Sequence, residues 1–213
     1  MKNTVIIGGG GHAKTVIPII REHKEYDLMG YVDVEDKGEI LGVPYLGQDD
    51  RLVEFKKKYE YCCAVLGLGI NVPAAKKKKI IQQILALGYQ FPSFVSRHAL
   101  VAEGVKIGKG VVISHGAIIN ISSSIGDFCA VYTGCIIEHD CAVGNFSYLS
   151  PGAVICGGVS IGESTVIGAN ATVIQYKKIA ADVVIGAGAV VTQDCLGPGT
   201  YVGVPAVKKE NAF

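Results

Sequence analysis

Two clusters in this sequence hold residue types that can do chemistry. Glu138-His139-Asp140-Cys141 sets an imidazole between two carboxylates and next to a thiol. With a reference pKa near 6.5, an imidazole can take a proton from an attacking amine or hydroxyl at neutral pH, and a neighbouring carboxylate can orient it. His115 is a second candidate base, and both histidines stand two residues after an aliphatic position, so spacing does not choose between them. For either, the plain alternative is an exposed corner histidine. The second cluster is Gly8-Gly9-Gly10-Gly11-His12-Ala13, with Asp33 about 20 residues on. Gly8-x-Gly10-x-x-Ala13 nearly matches the dinucleotide fingerprint, whose glycines let backbone N–H groups and a helix N-terminus approach phosphate.

Composition narrows the classes of function. Lys and Arg number 20 and Asp and Glu 19 in 213 residues, a net charge of +1, so there is no basic surplus for nucleic acid. The stretch from Cys141 to Gly162 has no charged side chain but contains Pro151, Asn145 and repeated glycine, which excludes a membrane helix. The apolar run Val5 to Ile7 is too short for a secretory signal, so a cytoplasmic protein is expected. Seven cysteines without CxxC spacing read as reduced thiols rather than a disulfide framework or a zinc cage.

The elements that must position these groups differ between the two halves. In residues 1–90 a strand from Thr4 to Ile7 enters the glycine turn, a helix runs to about Lys24, and a second strand covers Leu28 to Val34. A helix from about Asp49 to Tyr59, a strand from Tyr61 to Leu66 and a helix from Pro73 to Leu87 complete a small Rossmann-like α/β domain with a parallel sheet. Lys76 to Lys79 read as a solvated helix face, with a phosphate clamp as the alternative.

Residues 91–213 follow another rule. From Val101 to Val191 every sixth residue is aliphatic, and four residues after each stands a small one, with Lys177 as the exception. Neither the strand period nor the helix period keeps such a register. The pattern suits very short parallel strands joined by tight corners and stacked as a solenoid. Glycine often follows the aliphatic residue, as in Ile107-Gly108 and Ile161-Gly162, where a corner would require a compact or positive-φ residue. Cys129, Cys135, Cys141 and Cys195 fall in the small inward slot and read as packing. Lys177 and Lys178 read as a solvated excursion, with passage of coenzyme phosphates as the alternative, and Pro198 and Pro205 mark a change to irregular chain in the tail.

The repeat over residues 95–195 resembles the hexapeptide repeat of left-handed β-helix acyltransferases. The glycine turn ending in Gly11-His12, the Glu138-His139-Asp140 cluster and the terminal Val202-Gly203-Val204-Pro205-Ala206 together resemble the PglD and NeuD group of bacterial sugar acyltransferases over essentially the whole chain. That resemblance implies an α/β nucleotide-sugar-binding domain, then a left-handed parallel β-helix of five to six coils with three hexapeptides in each. It also implies a homotrimer with active sites between neighbouring prisms, and acetyl-CoA as co-substrate with no metal. His139 becomes the catalytic base and Asp140 its orienting neighbour, shorter than the Glu of some relatives, with Glu138 as the other possible orienter. The positions matching the nucleotide-sugar site are Gly10, Gly11, His12, Asp33, Val34 and a glycine at Gly67 or Gly69. For acetyl-CoA they are Tyr148, which replaces a histidine of some relatives, Ala169 and Ala187.

The resulting expectation is N-acetylation of a UDP- or dTDP-linked 4-amino-4,6-dideoxy sugar for glycan or surface-polysaccharide assembly. O-acetylation of sialic acid or another sugar is the alternative, and a non-catalytic solenoid ranks last. A carbonic anhydrase of the same shape would need about three histidines converging on zinc, more than the repeats supply.

Overall fold

The computed structural model describes residues 1–210. It divides into two compact units, Met1–Phe94 and Val95–Phe213.

The first unit runs β1 (Lys2–Ile7), α1 (Gly11–Arg21), β2 (Tyr26–Val32), β3 (Tyr45–Gly47), α2 (Arg51–Lys58), β4 (Cys62–Leu66) and α3 (Ala74–Ala86). The strands are parallel in the order β3-β2-β1-β4. All five residues of β4 are buried, as a strand covered on both faces requires. α1 supplies a buried row of Ala13, Val16, Ile17 and Ile20. It ends at Arg21, earlier than the sequence suggests, and β2 starts at Tyr26 and stops at Val32, leaving Asp33 and Val34 just beyond the strand. β3 was not foreseen, since three residues are too few to show alternation. Strand order reverses between β1 and β4, so the turn after β1 and the loop after β4 flank the crevice where open α/β sheets take ligands.

The second unit is a parallel β-helix of three sheets with five, eight and six strands. Each two-residue strand pairs with the one eighteen residues on, as Ile107, Ile125, Val143, Ile161 and Ile179 do in the five-stranded sheet. The aliphatic residues from Ile113 to Val191 are all buried and form the core with the small-slot residues. The small slot has a second task. Oγ of Ser123, Ser147 and Thr165 donates to the carbonyls of Glu138, Gly162 and Ala180 at 2.8, 2.9 and 2.8 Å. The Sγ atoms of Cys129 and Cys141 do the same toward Gly144 and Cys156 at 3.1 and 3.2 Å. A small hydroxyl or thiol therefore satisfies a corner carbonyl of the next coil, which an aliphatic residue could not do.

Of the compact or positive-φ residue expected after each aliphatic one, the compact requirement holds and the positive φ does not, and the irregular tail is corrected. The positive-φ corner position is not the residue after the aliphatic one. It falls two residues later, at every sixth residue from Gly104 to Gly188, and includes Ser122, Asp140, Asn170 and Tyr176. The glycines directly after the aliphatic residues serve close stacking instead, since a β-carbon on Gly144 would lie 2.6 Å from the Glu163 nitrogen of the next coil. The tail is not irregular either: Gly199–Val202 pairs in parallel with Val183–Ile185, and Val207–Lys208 adds an antiparallel strand. The corner at Lys177 keeps the regular pairing, with Tyr176 N–H donating to Gly157 O at 2.9 Å and Ser160 N–H to Lys177 O at 3.0 Å.

Candidate functional site

His139 and Asp140 lie on the corner between Ile136–Ile137 of the six-stranded sheet and Ala142–Val143 of the five-stranded sheet. Asp140 occupies the left-handed position with φ of 60°, which suits a short polar side chain, and its Oδ2 sits 2.8 Å from His139 Nδ1. The pair is exposed. With Nδ1 held by the carboxylate, Nε2 is the nitrogen left to exchange a proton with a substrate. The ring rests on the next coil, where a β-carbon on Gly157 would stand 2.6 Å from Nε2.

Glu138 does not orient the imidazole. Its Oε2 accepts from Asn120 Nδ2 at 3.0 Å, one coil back, and its carbonyl accepts from Ser123 Oγ. Sequence reasoning missed Asn120 and Gly157, though each stands eighteen residues from the cluster, which is the distance three hexapeptides set. His115 is differently placed, on the corner between the eight- and six-stranded sheets, with Nδ1 2.6 Å from Ser96 Oγ and its ring 5.8 Å from that of His98. His98 is a further histidine of this unit that the repeat count passed over. Burial pushes the Cys141 thiol up, in keeping with packing and not with a nucleophile.

The residues matching the acetyl-CoA site lie elsewhere on the prism. Ala169 and Ala187 are stacked on the corner between the eight- and six-stranded sheets, and Gly188 N–H donates to Ala169 O at 2.8 Å. They therefore flank the six-stranded sheet on the edge opposite His139. Tyr148 is buried on the eight-stranded sheet with its ring 5.8 Å from that of Tyr132, and burial pushes its hydroxyl well above the usual tyrosine range.

In the first unit the glycine turn leads straight into α1, with Gly10 as its N-cap, no side-chain cap and no acidic residue in the first turn. Nothing lies within 4 Å of a β-carbon built on Gly11, and only Gly67 O, at 3.8 Å, lies near one on Gly10. Packing does not demand glycine at either position, and without a β-carbon at either the N-terminus of α1 is open to close approach by an anion. Asp33 Oδ2 accepts from Gly9 N–H at 2.7 Å and from the Lys37 ammonium at 2.9 Å. Partial burial pushes this carboxyl up, but the Lys37 and Gly9 hydrogen bonds outweigh it and hold it below the usual carboxylate range. Val34 is exposed, and its carbonyl accepts from Gln48 Nε2 at 3.2 Å.

His12 is buried in the first turn of α1 and is not a helix cap. Burial, helped by Lys77, pushes its imidazole down to about 4, so the ring is neutral at pH 7. Of the two glycines after β4, Gly67 is required by the fold, because a β-carbon there would lie 2.6 Å from Ile6 Cγ2, while Gly69 faces the His12 β-carbon at 3.7 Å. The lysine run is not uniformly solvated: Lys77 shares the buried row of α3 with Ile81 and Ile84, and burial lowers it to about 8. Among the described residues no group of three His, Cys, Asp or Glu side chains gathers as metal ligands would, and no helix is long and apolar enough to cross a membrane.

Residues 3–87 match the family described as the PglD N-terminal domain. Among solved structures, a perosamine N-acetyltransferase from Caulobacter crescentus, a histidine variant in complex with CoA and GDP-perosamine, is 33% identical. The match covers 99% of this chain and 98% of that one with a TM-score of 0.92. The acetyltransferase domain of PglB from Neisseria gonorrhoeae, in complex with acetyl coenzyme A, is 28% identical over 98% of this chain and 99% of that one, with a TM-score of 0.88. WeeI from Acinetobacter baumannii has the same fold at 22% identity, over 98% of this chain and 100% of that one, with a TM-score of 0.87. No curated protein matches the chain in sequence.

Proposed function

This chain belongs to the PglD/NeuD-like family of sugar acyltransferases, and from that premise we propose that it transfers the acetyl group of acetyl-CoA to the amino group of a nucleotide-linked 4-amino-4,6-dideoxy sugar. The observation that carries this reading is the 2.8 Å pairing of His139 Nδ1 with Asp140 on an exposed corner, in a chain 33% identical to an N-acetyltransferase crystallised with CoA and GDP-perosamine. The sugar amine attacks the thioester carbonyl carbon, and His139 Nε2 takes the proton the nitrogen loses. The tetrahedral intermediate collapses to the amide, and CoA leaves as the thiolate, to be protonated. Backbone N–H groups near the corner are the oxyanion donors. No acyl-enzyme is needed.

The nucleotide sugar is assigned to the turn Gly10-Gly11-His12, to Asp33 and Val34, and to Gly69. The relative's guanosine nucleotide widens the sequence expectation of uridine or thymidine. The product serves glycan or surface-polysaccharide assembly, and the reaction is placed in the cytoplasm, where seven free cysteines stay reduced.

The working unit is a trimer. His139 and the Ala169 and Ala187 corner flank the same sheet on opposite edges. That sheet carries Leu100, Ile118, Ile136, Val154, Thr172 and Val190 on its outer face, against Lys106, Ser124, Ala142, Ser160 and Lys178 on the five-stranded one. Packing three apolar faces about a three-fold axis brings the histidine edge of one protomer beside the alanine edge of the next. Such an apolar column on a free surface would otherwise be a liability.

The test is release of CoA from acetyl-CoA, followed with a thiol reagent, using UDP-, dTDP- and GDP-linked 4-amino sugars beside sialic acid. Rapid release with one nucleotide amino sugar is expected. Release with sialic acid alone would replace this reading by O-acetylation.

A further inference from the structure

Tyr176 occupies the left-handed corner position with φ of 59° and is 70% exposed. A bulky side chain is disfavoured there. Two other aromatic residues share the position, Phe128 and Phe146, but they stack on each other with centroids 5.3 Å apart and planes 14° apart. Phe128 also lies over the glycine one coil back, Gly110, but it is buried beneath Phe146, whereas Tyr176, in a column with Gly158, stays open to solvent. Its ring bends back over Gly158, with Cδ1 and Cε1 standing 2.5 and 2.7 Å from where a β-carbon of that glycine would be. The adjacent Gly157 carries the His139 imidazole in the same way, with Nε2 at 2.6 Å. Two rings, one from the coil before and one from the coil after, thus cover neighbouring glycines of the coil between them. Strained backbone under an exposed side chain points to a task outside the fold.

We propose that Tyr176 is a binding residue for the acyl donor, its ring forming the platform on which the pantetheine arm of acetyl-CoA lies when the thioester reaches His139 Nε2. The inference rests on the acetyltransferase reading above. Coils are about 4.8 Å apart, so the root of Tyr176 stands about 10 Å along the edge from His139, within the span of that arm. The half-buried Lys177 and exposed Lys178 follow directly, where the cofactor's diphosphate would lie beyond the arm. An aromatic face suits the arm's methyl and methylene groups, and the phenol edge stays in water.

The experiment compares wild type with Tyr176→Gly, Tyr176→Ala and Tyr176→Phe by acetyl-CoA titration calorimetry without acceptor, by steady-state kinetics and by thermal melting. In the glycine and alanine variants the acetyl-CoA Kd and KM should rise about 3- to 10-fold, with the KM for the nucleotide sugar unchanged. The phenylalanine variant should bind as wild type does. Tyr176→Gly should melt no lower than wild type, because glycine accepts the left-handed position, so weaker binding cannot be put down to damage to the fold. Unchanged acetyl-CoA affinity in Tyr176→Ala would overturn the proposal, as would equal loss in Tyr176→Phe. A wild type that binds acetyl-CoA yet acetylates no amino sugar would defeat the reading of the reaction, while the binding comparison would still decide the role of Tyr176.

Discussion

The imidazole of His139 rests on Gly157, the residue eighteen positions later, and the contact leaves no room for a β-carbon between them. Gly157→Ala should displace the ring and break its alignment with Asp140. His139 is exposed and can swing aside, so melting should barely change while kcat falls about 100-fold, the scale of an ångström-level misplacement. Near-normal kcat in a folded variant would show that the seat is not needed.

Asp140 combines two demands, a left-handed backbone and a carboxylate on Nδ1. Asp140→Gly keeps the first and removes the second. Its melting temperature should hold or rise, and kcat/KM should drop roughly ten-fold or more. His139→Ala, by contrast, should remove the general-base contribution of about 100- to 10,000-fold without disturbing the fold. If both variants retained full turnover in steady-state assays, the proton would have to leave by another route.

Gly11 separates binding from packing, since a methyl group there meets no protein atom within 4 Å. Gly11→Ala should leave stability unchanged or slightly improved, and should raise the KM for the nucleotide sugar several-fold by crowding the phosphate at the helix N-terminus. Equal KM values would move the nucleotide away from this turn.

Acid should loosen the first unit through His12. Its imidazole takes up a proton near 6.5 when unfolded but only near 4 when folded, so between those values the unfolded chain binds more protons. Stability therefore falls as pH drops through that window, by about 2 kcal/mol from pH 7 to pH 5. Denaturant unfolding at the two pH values should show a smaller difference in His12→Gln. Lys77, lowered to about 8, works in the alkaline range in the same sense: stability rises with pH from about 8 toward its ordinary value of 10.5, as the buried charge is given up.

Much of the second unit was legible because its period is rigid. An aliphatic residue at every sixth position can only be kept by a chain that turns at fixed intervals, and Ile113 to Val191 are buried as that requires. What each glycine does was not legible. Gly144 and Gly134 look alike in the sequence, yet the first admits the backbone of Glu163 and the second provides a positive φ of 66° with open space around it. Asn120 on Glu138 and Tyr176 over Gly158 escaped for a related reason: contacts between coils appear only once residues are counted in eighteens. In the first unit the apolar runs revealed β1 and β4, while β3 and the burial of Lys77 depend on packing that no local pattern encodes.

The eighteen-residue register gives the β-helix something like a reading frame. Excising six residues upstream of Glu138 would rotate every later side chain by one face and carry His139, together with Gly157 and Tyr176, off the edge it now shares with the preceding coils. Excising eighteen would return it to the same edge, one rung of about 4.8 Å nearer the start. Changes of length compatible with catalysis are thus quantised in whole turns, and a single misplaced residue is a frameshift in space.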